Sequence, residues 1–208
     1  QEWINYSEQA LGVVVNKLEV AMSTASQAKN ATVDATMKEM FATQITELFD
    51  SVVSDANTQF NDKYLFGGTI TKQSPFALTN SVEEDLTISS LGESINLEHV
   101  QLNETAVTVE AGGTVYDETN FTIDKDKGTI TILEGSQMET DGVSDFTISY
   151  ETKDSVMIFP DDSDTKGVLT REIMKGDNMQ INISGEQVFM EDVNVFNTLR
   201  DLKNALFR

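Results

Sequence analysis

Residues 57–76 separate two patterns in the sequence, and this change constrains the fold more than any other feature. Before this stretch, apolar residues recur at helical spacing; after it, they mostly alternate with polar residues, as in β-strands. The change occurs at the turn formers Asn61-Asp62 and at Gly67-Gly68, whose glycines permit positive φ. Three large apolar side chains lie between these turns: Tyr64, Leu65 and Phe66. We expect this cluster to pack on the adjacent helices.

The segment before this change predicts two long helices. In residues 1–30 a narrow seam of apolar residues recurs at steps of three, four and seven, which is typical of a helix that packs along another helix. The periodicity already runs at Ile4 without a convincing N-cap, so we expect the helix to begin before the sequence does. The seam residues are Ile4, Leu11, Val15, Leu18, Met22 and Ala25, followed in the second helix by Phe41, Ile45, Leu48, Val52 and Ala56.

The connection between these helices lies at Lys29–Thr36. Thr36 and Glu39 match a capping box, and Thr32 and Asp34 are alternative caps for the second helix. A short connection between two long helices favours an antiparallel hairpin.

Residues 77–166 predict a small β domain. The clearest hairpin is Phe121–Leu133, in which alternating isoleucines and threonines flank a charged turn that ends at Gly128. Strands are also predicted at residues 105–109, 146–150 and 156–159. The scattered aromatic residues occupy mostly core-like strand positions: Tyr116, Phe121, Phe146, Tyr150 and Phe159.

After this domain the pattern returns to helix. Strand-like runs at 168–174 and 179–183 form a second hairpin, and a last seam begins after Glu186. Its members are Val188, Val195, Leu199, Leu202 and Leu206. If segments beyond both ends of the sequence join one inner coiled coil, the first and last helices must run antiparallel and in contact, and these seams support that arrangement. The seams also have two interpretations, core or a surface that meets neighbouring subunits, and we favour core because a helical layer must first bury its own stripe.

The predicted fold class is therefore α+β. An elongated helical domain with β-hairpins comprises residues 1–76 and 167–208, with two N-terminal helices and one C-terminal helix. Residues 77–166 form an outer β domain inserted between them.

The charge of the chain argues against two classes of partner. The formal net charge is −21, with 35 acidic and 14 basic residues. A surface this acidic repels nucleic acid and anionic lipid, so we expect neither nucleic-acid binding nor membrane docking. There is no cysteine for a disulfide or a thiolate metal site.

Residues that could suggest chemistry have simpler explanations. His99 is the only histidine and has no nucleophile motif, so we interpret it as a surface or structural residue. Gly67-Gly68 does not precede Lys72 at phosphate-loop spacing. Asp162–Gly167 imitates a calcium loop, but its fifth position is Lys166 and its twelfth is Ile173. We therefore predict no enzyme activity, catalytic residue, cofactor or metal.

Two stretches resemble the flagellar hook-associated protein 3 family, the hook–filament junction proteins within the flagellin family. The first combines Asn57, the run Tyr64-Leu65-Phe66-Gly67-Gly68, and Pro75-Phe76. The second runs from Gly185 through Leu206. The resemblance covers roughly residues 1–76 and 168–208, and the β domain carries no assignable motif.

This resemblance implies a structural subunit of the bacterial flagellum that adapts hook to filament outside the cell. It implies export without a cleaved signal peptide, terminal coiled-coil segments beyond this sequence, and no cofactor. The implied partners are copies of the chain, the hook-side hook-associated protein, flagellin and an export chaperone. Two alternatives stay open: flagellin or another filament or secretion-tip protein, and an acidic β-rich surface-binding module.

Overall fold

A computed structural model describes residues 2–30, 33–103, 107–158, 167, 169–174 and 176–208. Helices and antiparallel sheets both occur, which confirms the α+β class. In chain order the elements are α1 (Glu2–Ala28), α2 (Ala35–Ala56), β1 (Gln59–Phe60), β2 (Lys63–Tyr64), β3 (Phe76–Thr87), β4 (Ser94–Asn96), β5 (Thr108–Ala111), β6 (Thr114–Tyr116), β7 (Phe121–Asp124), β8 (Thr129–Ile132), α3 (Gln137–Thr140), β9 (Asp145–Ile158), β10 (Thr170–Met174), β11 (Asp177–Gln180) and α4 (Val195–Phe207).

The chain divides into two compact units. The helical unit comprises Gln1–Ala77 and Val156–Leu206, and the β unit comprises Leu78–Ser155 with Phe207–Arg208. The helical unit is thus assembled from two segments that are separated in sequence by the β unit.

Helices α1 and α2 form the antiparallel hairpin that the short connection predicted. Thr24 Oγ1 donates to Gln44 Oε1 over 3.2 Å near one end of the pair, and Lys17 forms a salt bridge with Asp55 nearer the other. Asp34 caps α2 by accepting from the Met37 N–H over 2.8 Å. The predicted capping box at Thr36 is therefore wrong, because the helix has already begun at Ala35.

The side of α1 that packs inward is not the predicted seam. Its buried residues are Ser7, Val14, Ala21 and Thr24, which are small and partly polar. Leu11 and Leu18 are half-buried, whereas Ile4, Val15 and Met22 are 40%, 53% and 70% exposed. Small residues let two helix backbones approach closely, so the larger seam residues lie beside the contact. The preference for core was wrong for these three exposed residues.

The C-terminal part of the helical unit also differs from the prediction. The expected continuous helix is a π-helical turn at Gln187–Glu191, a break, and then α4, which Asn194 caps by accepting from the Asn197 N–H over 2.9 Å. Within the described residues α1 pairs extensively with α2 and has no comparable pairing with α4, so the antiparallel contact of the first and last helices stays a prediction. Leu199 and Leu206 are buried, and Val195 and Leu202 are half-buried.

The β unit is a sandwich around one apolar core. In the described residues one sheet has the order β3-β9-β5-β6 and the other has the order β4-β8-β7. The predicted hairpin is confirmed as β7–β8, with Ile123 opposite Ile130. Of the aromatic residues predicted at core-like positions, Phe159 lies outside the described residues and the others are buried: Tyr116, Phe121, Phe146 and Tyr150.

Candidate functional site

The residues that carried the sequence motif converge in the helical unit. Leu65, Phe66, Pro75 and Phe76 are buried, as are Gly67 and Gly68, and Tyr64 is half-buried in the short strand β2. The turn between β1 and β2 lies at Asn61 and Asp62, whose φ values are 51° and 59°. Asn57 follows α2 directly as its C-cap.

Five phenylalanines, Phe49, Phe66, Phe76, Phe189 and Phe196, form what we call the aromatic cluster. Ring centroids lie 5.4 Å apart for Phe66–Phe189, 5.6 Å for Phe76–Phe189 and 5.0 Å for Phe76–Phe196. Phe49 of α2 contacts Phe196 edge-on at 6.3 Å. These separations fall in the range in which aromatic pairs add stability beyond their buried area. The cluster therefore joins the two sequence segments of the helical unit.

The Asn57 side chain holds the backbone of Phe76, a member of the aromatic cluster, in position. Its Nδ2 donates to the Phe76 carbonyl over 3.0 Å, and its Oδ1 accepts from the Phe76 N–H over 3.1 Å. The same Oδ1 accepts from Ser74 Oγ over 2.7 Å, and Ser74 Oγ lies 2.8 Å from the Phe76 carbonyl. One side chain at the end of α2 thereby satisfies both backbone groups of Phe76.

Two glycines permit close packing around the cluster. A Cβ at Gly185 would lie 2.8 Å from two ring atoms of Phe76, and the Gly185 N–H donates to the Phe66 carbonyl over 2.8 Å. Gly68 has φ 61°, a backbone conformation that residues other than glycine rarely adopt. Gly68 therefore allows the backbone to turn, and Gly185 allows it to pack directly against the Phe76 ring.

Asn182 is a second hub that the sequence did not indicate. Its Oδ1 accepts from the Leu169 N–H over 2.7 Å, and its Nδ2 donates to the carbonyls of Gly167 over 2.9 Å and Gly68 over 3.3 Å. A single asparagine between strand-like residues gives no local signal of such a role. Ser184 and Gln187, by contrast, form a reciprocal cap at 3.2 and 3.3 Å that the Ser-x-x-Gln spacing could have revealed.

Helix α1 presents apolar side chains on both sides of its contact with α2. At about 100° per residue, the seam flank (Ile4, Val15 and Met22) lies about 80–100° to one side of Val14. The opposite flank (Val13 and Val20) lies about 100–120° to the other side, and both its residues are exposed. A helix with an apolar arc this wide has more surface to bury than one partner helix covers.

The β unit contains a buried polar cluster around His99. His99 is 1% exposed, and its Nδ1 lies 2.6 Å from Asp154 Oδ1, which also accepts from Thr152 Oγ1 over 2.5 Å. The ring of Tyr150 contacts His99 at 5.9 Å, and its hydroxyl donates to Glu84. Burial, and secondly this hydrogen bond, raise the pKa of Tyr150. His99 is therefore a buried residue held by Asp154; of the two roles that the sequence suggested, surface or structural, its burial excludes the surface position.

Neither a metal cluster nor a membrane-spanning helix is found in the described part of the chain. No group of three or more carboxylates or histidines there could hold an ion, and no helix there is both long and apolar enough to cross a bilayer. Except for Gly167, the calcium-like loop at Asp162–Gly167 lies outside the described residues.

Comparison with solved structures finds flagellar junction proteins. The flagellar junction protein FlgL from Legionella pneumophila has a TM-score of 0.44 and 13% identity, over 100% of this chain and 77% of that chain. Xanthomonas campestris FlgL has a TM-score of 0.36 and 12% identity, over 98% and 77%. Flagellar hook associated protein-3 from Legionella pneumophila has a TM-score of 0.44 and 12% identity, over 100% and 72%. No protein-family model matches the sequence, and no curated protein does.

Proposed function

We propose that this chain is a structural subunit of the bacterial flagellum, located outside the cell at the junction of hook and filament. The observation that carries the proposal is the convergence of the two resembling stretches. Phe66 and Phe76 of the first stretch pack against Phe189 and Phe196 of the second. The resemblance thus rests on residues that cooperate in one core, rather than on two unrelated short matches.

The two flanks of α1 supply the surface that assembly requires. A closed ring of identical subunits needs two different contact patches on each copy. The seam flank and the opposite flank lie on two sides of the same helix and both are exposed. The partners would be copies of the chain and the adjoining axial proteins, hook-side hook-associated protein and flagellin, with an export chaperone before assembly.

Gold-labelled antibody against this chain, applied to flagella of the source organism, tests the location. We expect label in one short band between hook and filament. Label along the whole filament would support the flagellin alternative. Label that is absent from flagella would refute the proposal.

A paired substitution tests the assembly surface. The double variant Val15→Glu and Met22→Glu adds two charges to the seam flank, where desolvating them in an interface is costly. We expect the isolated protein to keep its melting temperature, while cells whose gene encodes the double variant lose junction labelling. The control is Val115→Glu, an exposed valine in strand β6 of the β unit, which should leave the labelling unchanged. Normal labelling of the double variant would show that the seam flank is not a contact.

A further inference from the structure

The smaller sheet of the β unit carries two rows of polar side chains on its outer face. The first row is Ser94, Thr131 and Thr122, and the second is Asn96, Thr129 and Asp124. Between the rows, Ile95, Ile130 and Ile123 belong to the apolar core of the sandwich. Because successive side chains of a strand point to opposite faces, both polar rows point away from that core.

These rows border a concavity of about 390 Å³, which lies toward the small end of the range of ligand sites in proteins. The polar side chains that line it are Ser94, Thr122, Asp124, Lys127, Thr129 and Thr131. Most ligand sites have mainly apolar walls with a few polar groups. Hydroxyl groups, one carboxylate and one ammonium group dominate here, so the concavity fits a hydrophilic ligand.

The polar groups of the concavity are partly fixed and partly free. The Lys127 N–H donates to Asp124 Oδ1 over 3.0 Å, which orients the carboxylate, and Lys127 Nζ lies 3.8 Å from Asp124 Oδ2. The hydroxyl groups of Thr122 and Thr129 have no hydrogen-bond partner in the described part of the chain. A hydroxyl group both donates and accepts, so these two can bind either kind of partner.

The charges around the concavity favour a neutral ligand. Asp124 and Lys127 are opposite in charge and cancel each other inside it. Residues 78–155 as a whole carry seventeen acidic and three basic side chains, so the β unit repels an anion. A cation gains little, because the one carboxylate of the concavity is already paired with an ammonium group.

From this geometry we infer that the outer face of the smaller sheet binds a neutral carbohydrate. Neighbouring hydroxyl groups of a sugar donate to the Asp124 carboxylate, accept from the Lys127 ammonium group, and do either with Thr122 and Thr129. The site belongs wholly to the β unit, and its sugar binding does not depend on the flagellar role proposed above.

A titration followed by NMR tests the site. Amide chemical shifts of the isotope-labelled protein are measured with maltose, lactose, cellobiose and diacetylchitobiose as probes. Each hydrogen bond to the sugar replaces one to water, so we expect a dissociation constant on the order of 1 mM. At least one probe should give saturable shifts confined to β4, β7, β8 and the turn at Lys127. No saturable shift at about a hundredfold that concentration, or saturable shifts only elsewhere, would overturn the inference.

Salt and charged probes test the class of ligand. The affinity of the bound disaccharide should be the same at low and high salt, because no net charge is paired in the site. Inorganic phosphate and Mg²⁺ should leave the same amides unshifted. Tighter binding of either ion than of the disaccharides would refute a carbohydrate site.

Matched hydroxyl deletions locate the binding groups. Valine has the shape of threonine without its hydroxyl group, so Thr129→Val and Thr122→Val should each weaken binding about two- to tenfold, which corresponds to one hydrogen bond. The control is Thr114→Val, an exposed threonine in strand β6 of the larger sheet, which should bind as wild type does. Melting curves establish folding, and if Thr129→Val does not fold, the exposed Thr122→Val decides. Wild-type affinity in the folded concavity variants, or equal weakening by the control, would refute the site.

Discussion

Replacing Asn57 by alanine tests whether this residue holds the helical unit together. The substitution removes the donor to the Phe76 carbonyl and the acceptor of the Phe76 N–H, which lie 3.0 and 3.1 Å away. Without Asn57 Oδ1, the Ser74 hydroxyl can donate to that carbonyl, which lies 2.8 Å from Ser74 Oγ, so the carbonyl is not left without a donor. The Phe76 N–H loses its partner, at a cost of about 1–3 kcal/mol, and the lost donation adds about 1 kcal/mol. We expect Asn57→Ala to lower the free energy of unfolding by about 2–4 kcal/mol.

The single tryptophan of the chain makes this effect measurable in one unit. Trp3 lies in α1, and its ring centroid is 6.3 Å from that of Phe60, so its fluorescence reports the helical unit. At a urea dependence of about 2 kcal/mol/M, the predicted loss lowers the unfolding midpoint by about 1–2 M. The control is Asn16→Ala on the exposed side of α1, which should change stability by less than about 0.5 kcal/mol. An Asn57→Ala midpoint equal to that of the control would refute the reasoning.

Three further predictions concern the β unit. Gly128→Ala should lower the melting temperature of the β unit far more than Gly113→Ala does. Both glycines have positive φ, but only a Cβ at position 128 would overlap the His99 carbonyl. Equal decreases in melting temperature would contradict this. The hydrogen bond from Thr87, and secondly that from Ser144, hold the pKa of Asp145 below its ordinary value. The ionised Asp145 therefore stabilises the fold at pH values above that ordinary pKa, and this stabilisation is lost as pH falls through the lowered pKa. Thr87→Val should raise the pKa of Asp145 in an NMR titration, and an unchanged pKa would contradict this. The pKa of Tyr150 is raised in the folded state, so its stabilisation of the fold is complete below about pH 10 and is lost as pH rises further. The melting temperature of Tyr150→Phe should therefore fall less steeply at alkaline pH than that of the wild type.

Periodicity predicted the elements better than it predicted their contacts. The spacing in α1 predicted the helix correctly. It also assigned Ile4, Val15 and Met22 to the packed side, because these are among the larger apolar residues of the helix. The contact itself is made by Ser7, Val14 and Ala21, whose small size permits close approach but adds little to an apolar pattern. Strand β3 was not separately predicted, although its alternation of half-buried and exposed residues is visible in retrospect.

The hydrogen-bond hubs were harder to predict than the helices and strands. The turn at Asn61-Asp62 and the hairpin whose turn ends at Gly128 follow from local residue preferences, and both are present. Asn57 could be singled out only through the motif resemblance, and Asn182 had no signal. Their partners are distant in sequence, and one polar residue does not reveal which backbone groups it will meet.

The bond between Asn182 and Gly68 spans 114 residues, which has a consequence for the order in which the chain folds. Contacts between distant residues pay a larger loop-closure cost and form slowly. During synthesis, α1 and α2 emerge early, but the cluster partners Phe189 and Phe196 emerge only after the whole β unit. Residues 78–155 therefore have the opportunity to fold first. Until the last segment arrives, Phe66 and Phe76 lack their partners, and a chain truncated before Gly185 would expose an aromatic surface on which unfolded copies can aggregate.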